Sequence, residues 1–298
     1  MTASKLRQSI ISLSPVEQTT HLIAILRDHE EFQANAREAD RELKERDTAD
    51  DEALSLGIEH ARARGLLLVD RCERQWRQVV VDGLYPADIA DLIVHQFPAS
   101  TPVPRLVAVA GPSGIGKGAV VAALTTDIPT LSIWSNGDAF RFLTYLLLSS
   151  ADQPSDGPAD LSQSTIGVLA DALQIDESGQ LAMRRNDTVI TLRDVPDREL
   201  RSVRVSRLVP QVARFSQGQV IALTNAASQA QPSGHGLLVE GRKPTLNYLD
   251  AEVHVELVLN NRAELGARRA AQRVVATLLS EPLDSEETMD SVLRRARR

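Results

Sequence analysis

The sequence predicts an α/β fold, a parallel sheet with helices on both faces, preceded by an all-α helical hairpin. Two observations predict it. Short apolar runs alternate with helical stretches after residue 104, whereas two long amphipathic segments precede a proline-rich stretch. Continuous apolar runs are typical of strands buried on both faces, as in parallel sheets covered by helices. We therefore expect the change from all-α to α/β structure near residue 100.

The N-terminal third predicts helices joined by a short turn. Ser14 and Glu17 flank Pro15 in a capping-box pattern, which predicts a helix from there to about Asp47. An acidic turn is predicted at 47–52. A second helix is indicated by apolar residues at three- and four-residue spacing: Leu54, Ile58, Ala61, Leu68, Cys72 and Val79. A third, short helix is predicted from Pro86 to about Gln96.

A proline-rich segment, residues 98–104, is predicted to end the helical part, because proline lacks the amide donor that a helix needs. We therefore predict a helical appendage at 1–97, a linker at 98–104 and an α/β domain at 105–298. The predicted strands of that domain are Arg105–Ala110, Thr130–Trp134, Gly236–Glu240 and Val253–Leu259, with an inserted β-hairpin formed by Leu181–Arg185 and Thr188–Leu192 around Asn186 and Asp187. A polar loop is predicted at Ala151–Asp160.

The composition indicates an ordinary soluble chain, with 43% hydrophobic and 24% charged residues among 298. A single cysteine excludes an internal disulfide and fits a reducing compartment. No apolar run reaches the roughly 20 residues that a transmembrane helix needs. The net charge is −7 and is concentrated in residues 1–97, which argues against nucleic acid as a partner. We expect a cytoplasmic protein with neither a membrane nor a nucleic acid partner, in which residues 1–97 contact a second copy or another protein.

A glycine-rich segment follows the first predicted strand of the α/β part and precedes a predicted helix. Its spacing, G-x-x-x-x-G-K, is typical of a phosphate-binding loop in that position. Glycines let successive backbone amides turn toward a phosphate, and the helix N-terminus adds partial positive charge. We therefore expect ATP or another nucleoside triphosphate to bind to Gly111, Pro112, Ser113, Gly114, Ile115, Gly116, Lys117, Gly118 and Ala119.

Residues 105–275 resemble the bacterial cytidylate kinases in the order and spacing of several motifs. Gly118 follows the lysine in place of Ser or Thr, as in nucleoside monophosphate kinases. Asn136–Arg141 resembles S-G-x-x-Y-R, and Val209–Ala213 resembles S-Q-V-A. Other segments similar to the family are Thr188–Val195, Glu199–Ser202, Leu238–Arg242 and Arg262–Arg269. The resemblance implies a P-loop kinase-like parallel sheet with an inserted β-hairpin.

The same resemblance implies phosphoryl transfer from ATP and Mg²⁺ to a nucleoside monophosphate. It implies Lys117, Arg141 and Arg242 as catalytic residues, with the two arginines on the acceptor phosphate, which a guanidinium can bind in a bidentate way. The remaining residues that it implies are Asn136, Arg201 and Lys243 at the substrate and Glu240 as a ligand of Mg²⁺ through water.

Departures from the family pattern lie at the positions that recognise cytosine and at the catalytic loop. Pro210, Gln219 and Lys243 stand where the family has Ser, Arg and Asp, so we expect an acceptor other than CMP. Ala110 and Ala119 replace an aspartate and a threonine. The arginine-rich lid of the family is expected to be absent, unless its role falls to Arg294, Arg295, Arg297 or Arg298.

Two functions therefore stay open from the sequence. The first is a phosphotransferase that kept its donor site and acceptor arginines but changed its acceptor. The second is a catalytically weak nucleotide-binding protein, in which the bound triphosphate regulates the contacts of the helical part. Hydrolysis of the triphosphate without an acceptor is a third possibility, but no residue with a clear role in positioning water is evident.

Overall fold

A computed structural model describes residues 2–67, 74–100, 103–149, 161–177, 179–185, 188–280 and 287–297. A five-stranded parallel sheet forms its centre, in the order β1-β8-β2-β7-β3. These strands are β1 (Arg77–Val80), β2 (Leu106–Ala110), β3 (Leu131–Ser135), β7 (Gly236–Gly241) and β8 (Val253–Val258). Every pairing among them is parallel, so the carboxyl ends of the strands meet at one edge of the sheet.

A small antiparallel sheet lies beside the main one and contains β4 (Leu173–Ile175), β5 (Leu181–Arg185) and β6 (Thr188–Thr191). Strands β5 and β6 form the predicted hairpin, and β4 adds a third strand that the sequence did not reveal. The turn between them, Asn186 and Asp187, lies outside the described residues. So do the predicted loop at 151–160 and two apolar positions of the second predicted helix, Leu68 and Cys72.

The helices surround the sheet on both faces. Those before β2 are α1 (Ala3–Ile10), α2 (Pro15–Leu26), α3 (Glu30–Ala63) and α4 (Pro86–Val94). Those that follow are α5 (Lys117–Asp127), α6 (Asn136–Leu148), α7 (Gln163–Asp171), α8 (Asp197–Leu200), α9 (Val203–Gln229), α10 (Lys243–Leu246), α11 (Ala263–Ser280) and α12 (Met289–Ala296), with a 3₁₀ turn at Leu192–Asp194. Within the described ranges, no helix is long and apolar enough to cross a membrane.

Alternating residues of β2 face two different cores. Ala108 and Ala110 pack in the core that contains α6, α7 and α9. Val107 and Val109 pack in the opposite core, with α4 and α5. A third apolar cluster lies outside the sheet and joins α1, α2, the start of α3, α11 and α12. The predicted α/β architecture with helices on both faces is therefore confirmed.

The N-terminal helical region is present, but the predicted turn at 47–52 is wrong. Helix α3 runs without a break through this stretch. The stretch is compatible with a helix, because it contains neither glycine nor proline and two of its acidic residues, Asp47 and Asp50, have cationic partners. Arg46, for example, pairs with Asp50 one turn away at 3.8 Å. The chain changes direction instead between α2 and α3, at 27–29, so that both helices pack against α11.

A second correction concerns Val79, which was predicted in a helix and lies in β1. Strand β1 pairs with β8, with Val79 opposite Leu257, so contacts cross the predicted linker at 98–104. Residues 1–97 supply an edge strand of the main sheet, and an all-α appendage does not describe them. The third predicted helix is present as α4. The place of a domain boundary stays a prediction.

Candidate functional site

The glycine-rich loop joins the buried strand β2 to the first turn of α5 at the carboxyl edge of the sheet. Gly114 and Gly116 have φ values of +80° and +99°, in the left-handed region that residues with a Cβ rarely adopt. Gly116 is also the N-cap of α5. The loop therefore has the alternating backbone conformation that turns successive amides toward an anion.

The lysine of this loop is folded back on its own backbone. Its ammonium, Nζ of Lys117, donates to the carbonyl oxygens of Gly111 at 2.8 Å and of Pro112 at 3.0 Å. Burial of the ammonium lowers the pKa of Lys117 to about 8, and the positive charge of Arg242 adds to this effect, while Glu240 and Asp47 oppose it. Lys117 is therefore still mostly protonated at neutral pH and available to an anion.

Helix α3 contributes two carboxylates to the mouth of the loop. The backbone amide of Ser113 donates to Oδ1 of Asp47 at 3.4 Å. Nη2 of Arg242 lies 2.7 Å from Oδ1 of Asp47, 2.7 Å from Oδ2 of Asp50 and 3.0 Å from Oγ of Ser113. Nη2 of Arg262 donates to Oδ2 of Asp47 at 2.9 Å. We call Ser113, Arg242, Arg262, Asp47 and Asp50 the loop cluster.

The ionisation of the loop cluster is set by burial and by its own ion pairs. Burial raises the pKa of Asp47, but Arg242 and the hydrogen bonds from Arg242 and Ser113 lower it more, so that the net shift is downward. Burial lowers the pKa of Arg242, but Asp47 and Asp50 raise it more. Both partners are therefore charged over the whole physiological range. No sequence motif indicates that Asp47 and Asp50 belong to the site. The one feature that could have pointed to them is the i, i+3 spacing of two carboxylates on one helix face.

A second group of charged residues surrounds Asp138 at the start of α6. Nη1 of Arg141 donates to Oδ1 of Asp138 at 2.8 Å, and Nη2 of Arg201 lies 3.8 Å from the same oxygen. Nε of Arg201 donates to Oδ1 of Asp197 at 2.7 Å. The hydrogen bond from Arg201 to Asp197 raises the pKa of that arginine, and Asp138 adds to the shift. We call Arg141 and Arg201 the arginine pair, and Asp138 and Asp197 are its carboxylates.

Glu240 lies within electrostatic range of both groups. It stands near the end of β7, opposite Val109 of β2 and Ser135 of β3. A Cβ placed on Gly118 would lie 4.0 Å from its Oε2, so the carboxylate is beside the first turn of α5. Its negative charge raises the pKa of Lys117 on one side and of Arg201 on the other. The two predicted acceptor arginines thus lie in different groups, Arg242 in the loop cluster and Arg141 beside Asp138. Glu240 acts electrostatically on Lys117 and on Arg201.

A comparison of the sequence with protein families matches residues 107–298 to the family described as cytidylate kinase. The chain belongs to the cytidylate kinase family. The match supports a nucleotide kinase-like phosphotransferase, and it confirms the resemblance noted in the sequence. No curated protein matched the chain. Helix α3, which supplies Asp47 and Asp50, precedes the matched residues.

Gln219 and Lys243, which the family resemblance places at the cytosine-reading positions, are engaged in other contacts. Nε2 of Gln219 donates to Asp171 at 2.8 Å. Nζ of Lys243 donates to Oε2 of Glu256 at 2.7 Å and lies 5.5 Å from the ring centroid of Trp76. The structure thus brings Lys243 to β8 and Trp76 and not to the arginine pair. Its part in substrate binding stays a prediction.

Asn136 is a buried residue at the start of α6, only 3% exposed. Its Oδ1 accepts hydrogen bonds from Nε1 of Trp134 at 2.8 Å and from Oγ1 of Thr224 at 3.1 Å. Its Nδ2 is buried and has no partner among the described residues. Asn136 therefore anchors α6 to β3 and α9, and its predicted contact with substrate could be made only through Nδ2.

The arginines near the C-terminus pair with other segments and not with the loop. Arg294 lies 3.4 Å from Glu31, and Arg297 forms a short ion pair with Glu38, both on α3. Arg295 lies 2.6 Å from Glu287. Arg298 lies outside the described residues. In this arrangement Arg294 and Arg297 link α12 to α3, and a lid role for any of these arginines stays a prediction.

Proposed function

We propose that this protein transfers the γ-phosphoryl group of ATP, or of another nucleoside triphosphate, to a phosphorylated, nucleotide-like acceptor other than CMP. The observation that carries the proposal is the meeting of two cationic groups at one sheet edge. Lys117 and Arg242 lie at the phosphate loop, and Arg141 and Arg201 lie beside Asp138. Glu240 acts electrostatically on both Lys117 and Arg201. Phosphoryl transfer depends mainly on such positioning and charge neutralisation.

The donor part of the proposal is supported by the loop itself. A carboxylate of Asp47 already accepts a hydrogen bond from the amide of Ser113, so the loop presents an amide to an anion in the observed conformation. The ammonium of Lys117 donates to two loop carbonyls, and a phosphate would replace these acceptors. A phosphate would therefore find an amide, an ammonium and a guanidinium at one place.

Magnesium fits the same edge. Glu240 is the carboxylate beside the first turn of α5, and in the described part of the chain no three His, Cys, Asp or Glu side chains form a closed metal cluster. Mg²⁺ is usually held in proteins by one or two carboxylates, substrate phosphates and water, so an open site of this kind suits it. Bound there, Mg²⁺ would neutralise charge on the phosphates, with Glu240 holding it through water.

The acceptor part is supported by the arginine pair and by the changed base positions. Two guanidiniums beside one carboxylate could bind a phosphate in its place, because carboxylate and phosphate oxygens accept hydrogen bonds from a guanidinium in the same geometry. The residues that would read cytosine are absent: Pro210 has no side-chain donor, and Gln219 and Lys243 are tied to Asp171 and Glu256. A site without these partners loses its preference for cytosine.

The test is a turnover screen of the full chain with ATP and Mg²⁺ against nucleoside monophosphates and other phosphorylated metabolites. Products are identified by mass and by ³¹P NMR. We expect a new phosphoanhydride or phosphoester on one acceptor, with CMP much poorer than that acceptor. Loss of turnover in Arg141→Ala, but not in the exposed Arg204→Ala on α9, would tie the reaction to the arginine pair.

A second candidate is a nucleotide-binding regulator with weak catalysis. The observation that favours it is the engagement of Arg242 by Asp47 and Asp50, since an arginine held by two carboxylates is not free for an acceptor. In that case residues 1–97 would signal the bound state to a second copy or another protein. Tight nucleotide binding without turnover of any acceptor in the same screen would support this candidate over the transferase.

A further inference from the structure

We propose that α3 is an autoinhibitory strap, in which Asp47 and Asp50 hold the phosphate-binding groups of the loop until the helix moves. The proposal rests on the proposed function, because it concerns regulation of the same donor site. The strap is the segment of α3 between Leu43 and Leu54. In the observed state this segment lies where a triphosphate would need to reach the loop.

The path of α3 explains how a helix outside the family match comes to lie over the loop. Phe32, near its start, belongs to the apolar cluster with α11 and α12. Leu43 packs in the core on the α5 side of the sheet, and its Cδ1 would lie 3.7 Å from a Cβ on Gly114. Leu54 and Ile58 pack in the core on the opposite side. The twelve residues from Leu43 to Leu54 therefore carry the helix about 16 Å across the carboxyl edge of the sheet.

Asp47 and Asp50 lie in that crossing segment, and their partners are groups that a phosphate needs. The amide of Ser113 belongs to the loop, and Arg242 adjoins it. One oxygen of Asp47 accepts from both of them, and the other accepts from Arg262. Asp47 is also nearly buried, at 7% exposure, so these bonds are made in a site that is mostly shielded from water. A carboxylate thus occupies an anion position of the loop.

The carboxylates of the strap and a bound triphosphate exclude each other because both are negatively charged. A nucleoside triphosphate brings several negative charges to the loop, and carboxylates a few ångströms away would repel them, strongly so where water is excluded. The phosphates would also have to take over the hydrogen bonds that Asp47 and Asp50 now accept. Either the strap shifts or the nucleotide binds weakly.

Close packing anchors the strap at both of its ends. A Cβ on Gly57 of α3 would lie 2.5 Å from Cγ of Gln217 and 3.1 Å from the carbonyl oxygen of Ala213, both on α9. A Cβ on Gly266 of α11 would lie 2.3 Å from the carbonyl oxygen of Ala36 on α3. Helices this close have little freedom to slide past each other. Opening is therefore expected to be confined to the crossing segment and its two carboxylates.

The experiment measures the Kd of a non-hydrolysable ATP analogue by calorimetry, with and without Mg²⁺, for the wild type and three variants. Asp47→Asn/Asp50→Asn removes the two charges but keeps their shape. Glu45→Gln removes one carboxylate charge from an exposed side chain of the same helix, 71% exposed, that lies outside the loop cluster. Lys117→Ala removes the ammonium of the loop.

The proposal predicts that Asp47→Asn/Asp50→Asn binds the analogue at least about tenfold more tightly than the wild type, a difference of about 1.4 kcal/mol. Glu45→Gln should match the wild type, and the gain should appear both with and without Mg²⁺. Equal or weaker binding by the double variant overturns the strap. Weaker binding only with Mg²⁺ also overturns it and identifies the carboxylates as metal ligands instead.

Failure of the donor site itself gives a different pattern. If the wild type binds the analogue and Lys117→Ala binds it equally well, the assignment of the loop is wrong, whatever the double variant does. If Lys117→Ala loses binding while the double variant is unchanged, the donor site stands and only the strap fails.

A second measurement on the wild type covers the case in which the double variant does not fold. Amide hydrogen exchange is followed for peptides covering residues 43–54 as the analogue saturates the protein. The strap predicts faster exchange in this segment on binding and unchanged exchange in the anchored stretch near Gly57. Unchanged or slower exchange in residues 43–54 would overturn it.

Discussion

Oδ1 of Asp47 lies 2.7 Å from Nη2 of Arg242, although the two residues are 195 positions apart in the chain. Asp47 is on the N-terminal helix α3, and Arg242 follows the strand β7 in the part of the chain that matches the cytidylate kinase family. The ion pair therefore joins a segment outside the family match to a residue expected to bind phosphate. Breaking this ion pair would therefore change both the free energy of unfolding and the access of a phosphate to Arg242.

The first prediction concerns the stability that Asp47 contributes. Asp47→Asn should lower the free energy of unfolding by about 2 kcal/mol at pH 7, because hydrogen bonds to a charged group are lost. The pKa of Asp47 is lowered in the folded state, so its contribution is present above the unfolded pKa and is lost as the pH falls through the folded one.

Urea unfolding of Asp47→Asn and the wild type at pH 7 and pH 3.5 checks this. The difference between the two proteins should be smaller at pH 3.5. A difference that stayed the same at both pH values would show that the charge of Asp47 does not stabilise the fold. Glu45→Gln, on the exposed side of the same helix, serves as the control.

The second prediction concerns Lys117 and alkaline pH. Its pKa is lowered to about 8 in the folded state, below the usual value of about 10.4 in an unfolded chain. Between these values the unfolded chain binds more protons, so this residue makes the protein more stable as the pH rises. Below pH 8 the buried ammonium lowers stability by about 3 kcal/mol.

Lys117→Met should therefore be more stable than the wild type at pH 7, and the advantage should shrink by pH 10. Chemical denaturation at the two pH values measures it. Lys44→Met, at an exposed lysine on α3 with 56% exposure, should show no such trend. An advantage that grew with pH would contradict the assigned direction.

The third prediction separates the arginine pair from the donor site. In a protein with an identified acceptor, Arg141→Ala should raise the KM for that acceptor about tenfold or more, because a charge-assisted contact with its phosphate is lost. The Kd for the ATP analogue should stay within about twofold of the wild type. Arg204→Ala is the matched control, and an equal effect on both ligands would argue against separate sites.

The fourth prediction concerns the close approach of α11 to α3. Gly266→Ala should destabilise the protein by about 1–3 kcal/mol, because its Cβ would overlap the backbone carbonyl of Ala36 and the helices would have to separate. Gln272→Ala, on the exposed side of α11, should change stability by no more than about 0.5 kcal/mol. Thermal and urea unfolding both measure the difference, and a neutral Gly266→Ala would mean that α3 is held less tightly than the packing indicates.

The features that the sequence predicted well are those that depend on neighbouring residues. The glycine-rich loop is recognised from seven consecutive residues. Strands β2 and β7 are short apolar runs, so their burial can be predicted without knowing the rest of the chain. The family resemblance followed from motifs in a fixed order, and the match to the cytidylate kinase family confirms it.

The course of α3 could not be predicted in the same way. Its acidic stretch predicts a turn, because four carboxylates in six residues are typical of a solvated surface. Their partners, Arg242 and Arg262, come from distant segments, and only the folded chain brings them to Asp47. Strand β1 was missed for a similar reason: it has four residues, of which only Val79 is buried, and its pairing with β8 is a long-range contact.

That pairing of β1 with β8 has a consequence for the order in which the chain can fold during synthesis. Strand β1 ends at Val80, but its partner is complete only once Val258 has left the ribosome. Until then the first strand has no neighbour in the sheet, and α3 lacks α9 and α11 to cover its apolar side. Pairing of such distant segments is slow and leaves apolar surface exposed meanwhile. A nascent chain stalled before residue 253 is therefore expected to be protease-sensitive from its N-terminus onward, whereas release of the full chain should protect it.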